Sequence, residues 1–285
     1  MSTTEAETAS NSALPAIRIE PTAGLFAFNL RDLWEYRELL YFLTWRDIKV
    51  RYKQTALGAG WALLQPLLTM VVFTFVFGRF AGVPSNGVPY PLFSFAALLP
   101  WQYFASAVGR SGVSLVNSSN LISKVYFPRL VVPLAAAIAP LVDFAIAFLI
   151  LIVMMFYYGV MPTWTILYLP VFILLAFATA LAISLWLSAL NVRYRDINYL
   201  IPFMVQIWMF VSPVAYPSSL VPEKWQLLYG LNPMASVVEG FRWALLGSGQ
   251  PPDSLMLVSS CMVLVVFFTG LVYFHKTEQT FADII

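Results

Sequence analysis

The sequence predicts an all-α integral membrane protein, and three observations carry that expectation. Of 285 residues, 60% are hydrophobic and only 11% are charged. Mean hydropathy is +0.78, and a soluble domain with so little charge would not stay dispersed. Apolar runs long enough for a bilayer-crossing helix, which needs about 20 residues, recur along the chain.

Taken in order, residues 1–28 are rich in Ser, Thr, Ala and Glu and lack the basic and apolar regions of a cleaved signal peptide. They read as a disordered cytoplasmic tail. Residues 29–53 read as an amphipathic helix lying on the membrane surface. Leu30, Leu33, Trp34, Leu40, Tyr41, Trp45, Ile48 and Tyr52 recur with helical spacing, while Arg31, Asp32, Glu35, Glu38, Asp47 and Lys49 fall mostly on the other side. Asn29 is the expected N-cap, with Asp32 following it. Arg46, Lys49, Arg51 and Lys53 at its end suit an anionic cytoplasmic surface.

Six transmembrane helices are expected within residues 54–276. They cover Trp61–Phe77, Leu92–Ser111, Leu130–Tyr157, Ile166–Leu190, Asn198–Tyr216 and Ser254–Phe274. Residues 277–285 form a short C-terminal tail. An even count of spans puts both termini on one side. Arg46, Lys49, Arg51, Lys53, Lys124, Arg129, Arg193, Arg195 and Lys276 flank one face of the membrane, against Arg79, Lys224 and Arg242 on the other. Positive charge collects in the cytoplasm, so both termini are expected there.

Residues 217–250 are outside but not polar. Leu227–Leu246 is apolar yet broken by Asn232-Pro233, Glu239, Gly240 and Arg242, the pattern of a re-entrant helical segment held in protein before the last span. Glu239 and Arg242, three apart on a helix, can neutralise each other. Inside the spans, Arg110 and Asp143 stand out as polar groups at a pathway or gate, or as residues with a buried partner.

The chemistry of an enzyme is missing from the sequence. No G-x-x-x-x-G-K-[ST] loop, H-E-x-x-H pair or G-x-S-x-G elbow occurs. A single cysteine and a single histidine exclude an internal disulfide and a His-rich metal site. No metal or cofactor is expected on this chain, and uphill transport would draw its energy from a partner or an ion gradient.

Two cytoplasmic loops are the most specific features. Asn117-Ser-Ser-Asn-Leu-Ile-Ser-Lys-Val-Tyr-Phe-Pro-Arg129 reads as a short helix capped by Asn120, with Lys124 exposed and Pro128 stopping it. Asn191-Val-Arg-Tyr-Arg-Asp-Ile197 is a charged island between two apolar runs. Together with the span pattern, these motifs resemble the polysaccharide-exporting branch of the type-2 ABC transporter permeases, which serves O-antigen, teichoic acid and capsule. The resemblance covers residues 29–276.

That resemblance implies a homodimer of permeases in the bacterial inner membrane. Each subunit docks one separate ATPase that holds ATP and magnesium. Residues about 117–129 become a coupling helix, with Asn120, Leu121, Lys124, Tyr126, Phe127 and Arg129 at the contact. Arg193, Tyr194, Arg195 and Asp196 give a second contact. The substrate implied is a lipid-linked polysaccharide, with membrane lipid around the chain and no nucleic acid. Trp101, Tyr103 and Phe104 are candidates to line its path, since aromatic faces stack on sugar rings. Asn232, Glu239 and Arg242 are candidates for an outer gate. The same fold exporting a small amphipathic compound is the alternative; a membrane enzyme acting on lipid-linked sugars is disfavoured because the acids form no pair.

Overall fold

The computed structural model describes residues 30–53, 60–249 and 251–284, and every regular element among them is helical. The predicted tail 1–28 and the Asn29 cap lie outside the described residues. The surface helix is two helices, α1 (Leu30–Glu35) and α2 (Arg37–Lys53). Its apolar residues divide between two sides. Leu43 is buried, with Leu33, Leu39 and Leu40 packed on the core, whereas Trp34, Tyr41 and Trp45 face outward. Exposed aromatics beside Arg46 and Lys49 suit the interface between headgroups and lipid tails.

The spans follow the expected order with shifted ends. They are α3 (Gly60–Phe73), continued by π-type turns at Thr74–Phe80; α4 (Tyr90–Asn117); and a third span broken into α6 (Val131–Ile138) and α7 (Leu141–Tyr157). Between α4 and α6 lies one helical turn, α5 (Ser119–Ile122). Pro140 sits at the α6–α7 break, where its missing N–H interrupts the helical ladder. Then come α8 (Leu169–Arg193), α9 (Ile197–Val211), α10 (Glu223–Gly230), α11 (Pro233–Leu246) and α12 (Ser254–Ile284).

Five of these segments are long and apolar enough to cross a membrane. The predicted fifth span is the exception. α9 has 15 residues, a length of about 22 Å, short of a bilayer core of about 30 Å. Pro213 ends it early by forcing Ser212 into extended backbone, with φ −96° and ψ 150°. At the other extreme, α12 has 31 residues, roughly 46 Å, longer than a bilayer core of about 30 Å. Residues 277–284, expected as a tail, continue that helix.

α4 is the hub and touches α3, α6, α7, α8, α9 and α11. Small residues explain how so many helices fit around it. Ala97, Ala107, Ser111 and Gly112 on α4, and Ala176, Ala180, Ser184 and Ser188 on α8, are all buried. Small side chains let backbones approach where helix association rests on packing rather than on expulsion of water. α12 closes on α8 through the stacked rings of Trp186 and Tyr273, 4.7 Å apart. Gly270 faces the same indole, where a Cβ would come within 2.9 Å of Trp186.

The stretch expected to be re-entrant holds two helices, α10 and α11, which touch each other, and α11 packs on α4 and α8. Its N-terminal N–H groups are met by Asn232, whose Oδ1 caps α11 by accepting from Met234 N at 3.1 Å and also accepts from Trp208 Nε1 at 2.8 Å.

Candidate functional site: a coupling face, a polar cavity and an outer clasp

At the end where α4 stops and α8 turns into α9, the loop 117–129 is less helical than expected. Helix is confined to Ser119–Ile122, and Ser118 occupies the N-cap position. Asn120 therefore lies inside the turn and caps nothing; it is exposed. Lys124, Val125 and Tyr126 are exposed too, while Leu121 packs partly on the core and Phe127 is buried beneath them. Phe127 is thus the anchor that holds a presented surface.

Arg129 reaches the far end of the chain. Its backbone N donates to Glu278 Oε1 at 3.0 Å, its guanidinium donates to the Glu278 carbonyl, and it lies 5.9 Å from the Phe281 ring. The loop after α4 is therefore tied to the projecting end of α12. Nothing in the sequence pairs these positions, because they lie 149 residues apart.

The island 193–196 is presented as expected. Arg193, Tyr194, Arg195 and Asp196 are all exposed. Asn191 fixes its base: buried, it donates from Nδ2 to Gly112 O at 3.1 Å and to Asn198 Oδ1 at 3.2 Å. Gly112 also makes room for α9, since a Cβ there would sit 2.5 Å from Ile201 Cδ1.

Asp143 and Arg110 meet the surface helix instead of standing alone in the bilayer. Asp143 lies in the first turn of α7, just past the Pro140 break, where it pairs with Arg51 and accepts from Tyr52 Oη. Burial lowers the Arg51 pKa from its ordinary value, and the nearby Arg110 charge lowers it further. Arg51, Arg110 and Asp143, with Gln65, Gln102 and Ser106, line a cavity of about 380 Å³ between α2, α3, α4 and α7. A second cavity of about 500 Å³ continues past Arg51 and Arg110 toward Arg46, Asp47 and Asn117. Gln65 and Gln102, polar residues inside apolar runs, were a legible sign of this chamber.

At the opposite end, Arg242 is fully buried. Its guanidinium donates to Val214 O at 2.9 Å, Tyr216 O at 3.2 Å and Glu239 Oε1 at 3.3 Å, and it covers the Phe93 ring at 3.5 Å. Glu239 Oε1 also accepts from Ser218 N at 3.2 Å. The expected neutralising pair exists, but as an internal clasp joining α4, α11 and the 212–218 connection. Asn232 likewise binds Ser212 Oγ at 3.0 Å. Arg242 and Asn232 brace the 212–218 connection, while Glu239 also borders a cavity of about 90 Å³ with Ser218, Tyr229 and Asp253.

The aromatic candidates in α4 need the same correction. Trp101, Tyr103 and Phe104 are all buried. Phe104 wedges between Trp101 and Trp208, at 5.3 and 5.2 Å, and Tyr103 Oη donates to Ala137 O at 3.2 Å. Only Tyr103 reaches the cavity. Helical periodicity cannot say which face of an all-apolar helix is covered, and α4 is covered nearly all round.

A family model described as "ABC-2 type transporter" matches residues 38–246. The chain belongs to this family. It is 31% identical over 255 residues to the O-antigen export system permease protein RfbA of Myxococcus xanthus, covering 88% of this chain and 96% of that protein. The RfbA permease of Klebsiella pneumoniae is 29% identical over 261 residues, covering 90% and 98%. The polysialic acid transport protein KpsM of Escherichia coli is 20% identical over 244 residues, covering 82% and 91%. As an ABC-2 type protein, this chain is a multi-pass membrane component of a transporter, and the match spans the two exposed loops, the cavity and the clasp alike.

Proposed function

We propose that this chain is the permease subunit of an ATP-driven exporter that moves a lipid-linked polysaccharide, of the O-antigen class, out of the cytoplasm. The observation that carries the reading is the end-to-end similarity to O-antigen export permeases, which covers 96–98% of those relatives.

ATP is bound and hydrolysed by a separate subunit, since this sequence has no P-loop. Two copies of the permease pair in the bacterial inner membrane, each with one ATPase, and both termini lie in the cytoplasm. The coupling face receives the ATPase. Lys124 and Tyr126 stand on the Phe127 anchor, and Arg193–Asp196 stands on the Asn191 tether. A docking surface needs this combination of exposed charge and a rigid base, because a flexible loop would absorb the motion it has to pass on. Arg129 relays displacement of the first loop to α12 through Glu278. The apolar faces of α3 and α9, largely uncovered within one subunit, supply surface for the second copy and for lipid.

Deletion of the gene and inspection of surface glycan tests the reading directly. Loss of long-chain glycan, with its lipid-linked form accumulating inside, is the expected result, and tagged permease should co-purify with an ABC ATPase. Normal surface glycan in the deletion strain would overturn the polysaccharide assignment.

A further inference from the structure

We propose that the cavity bounded by α2, α3, α4 and α7 binds a phosphate or diphosphate group on a lipid headgroup. The inference uses the permease reading only for which lipid arrives; the anion chemistry stands on the geometry.

The cavity carries an excess of fixed positive charge. Arg51 and Arg110 both line it, and the single carboxylate among its described lining residues, Asp143, is engaged by Arg51 and by Tyr52. Arg110 makes no hydrogen bond to any described residue. The carboxylate of Asp47, which shares the adjoining cavity with it, is held by Arg46 at 2.8 Å. One guanidinium therefore remains with donors to spare, about two turns inside the end of α4. A charge at such depth is costly unless a polar or anionic group meets it.

The neutral lining completes a receptor for an oxyanion. Gln65, Gln102 and Ser106 supply donors from two helices. Arginine presents its N–H groups as a planar fork that matches phosphate oxygens two at a time. Arg51 and Arg110 also front the second cavity toward Asn117, so an anion can approach from the coupling end. The other walls are apolar, with Trp61, Pro66, Leu99 and Phe144, as a lipid's attached chain requires.

The test is competition binding of radiolabelled farnesyl diphosphate to the full chain in phosphatidylcholine nanodiscs. Farnesol, inorganic diphosphate and phosphatidylglycerol serve as competitors. Arg110→Gln should weaken binding about tenfold or more, the size of one charge-assisted hydrogen bond. Asp143→Asn should tighten it severalfold by freeing Arg51, a gain that a merely structural role for Asp143 would not give. Competition by inorganic diphosphate but not farnesol supports the phosphate site. Phosphatidylglycerol competing as well as farnesyl diphosphate would assign the site to ordinary anionic lipid. Absent binding, or binding indifferent to Arg110→Gln in folded protein, overturns the proposal. If Arg110→Gln lost binding while the deletion strain kept its surface glycan, the site would stand and the polysaccharide reading would fall.

Discussion

Arg129 and Glu278 join the loop after α4 to the projecting end of α12, with the Arg129 backbone N 3.0 Å from Glu278 Oε1. The backbone and the guanidinium of one residue both bind the same partner, and Phe281 lies under the charge. A loop held this way moves with the helix it grips.

Cutting that grip should separate ATP turnover from transport. Glu278→Ala removes the acceptor for Arg129 N and costs about 1 kcal/mol locally. The expected outcome is retained ATPase activity with reduced surface glycan. Unchanged export in this variant would show that α12 is not driven through the loop.

Charge reversal on the presented surfaces tests docking itself. Lys124→Glu and Arg193→Glu change exposed side chains, so folding should be nearly unaffected, within about 0.5 kcal/mol. Co-purification with the ATPase and its stimulation should fall in both. Equal recovery of the ATPase with both variants would place the contact elsewhere.

The outer clasp should behave as structure. Arg242→Leu leaves four carbonyl or carboxylate acceptors, on Phe93, Val214, Tyr216 and Glu239, without their donor and Glu239 without its counter-charge. Breaking a buried pair from one side costs about 3–5 kcal/mol. A large drop in thermal stability in detergent is expected. A variant with wild-type melting and altered export would instead return Arg242 to the role of a gate.

Packing beneath the charged island yields a rescue experiment. Gly112→Ala places a methyl 2.5 Å from Ile201 Cδ1, and overpacking of this kind costs about 1–3 kcal/mol. Ile201→Val deletes the offending carbon. The double variant should recover most of the lost stability, which thermal unfolding of the four proteins would show as non-additivity.

Much of the fold was legible because its causes are local. A run such as Val142–Tyr157 has to be helical in lipid, where every backbone group must be satisfied within the segment. The charged island at 193–196 announced a water-facing turn for the same energetic reason. The family resemblance was readable from the two loops, since residues such as Lys124 and Arg193 have no reason of stability to be where they are. The break at Pro140 and the early stop before Pro213 were written in the chain, but their effect on span length was not drawn from it.

What the sequence alone determined, then, was class, order of the helices and the exposure of the charged island at 193–196, all matters of composition and short-range pattern. Tertiary structure alone decided the partners of the buried charges. Asp143 could have met water, a cation in a neighbouring span or Arg51, and only the seating of α2 across the α6–α7 break selects Arg51 and Tyr52. Arg242 became a clasp because its guanidinium is enclosed by Phe93, Val214 and Tyr216. Trp101 and Phe104 became core because α9 brings Trp208 against Phe104. In a chain that is apolar on every side, hydrophobicity fixes that a helix is in the membrane but not which face meets protein. That choice falls to close packing of small residues and to the few polar groups that must find one another.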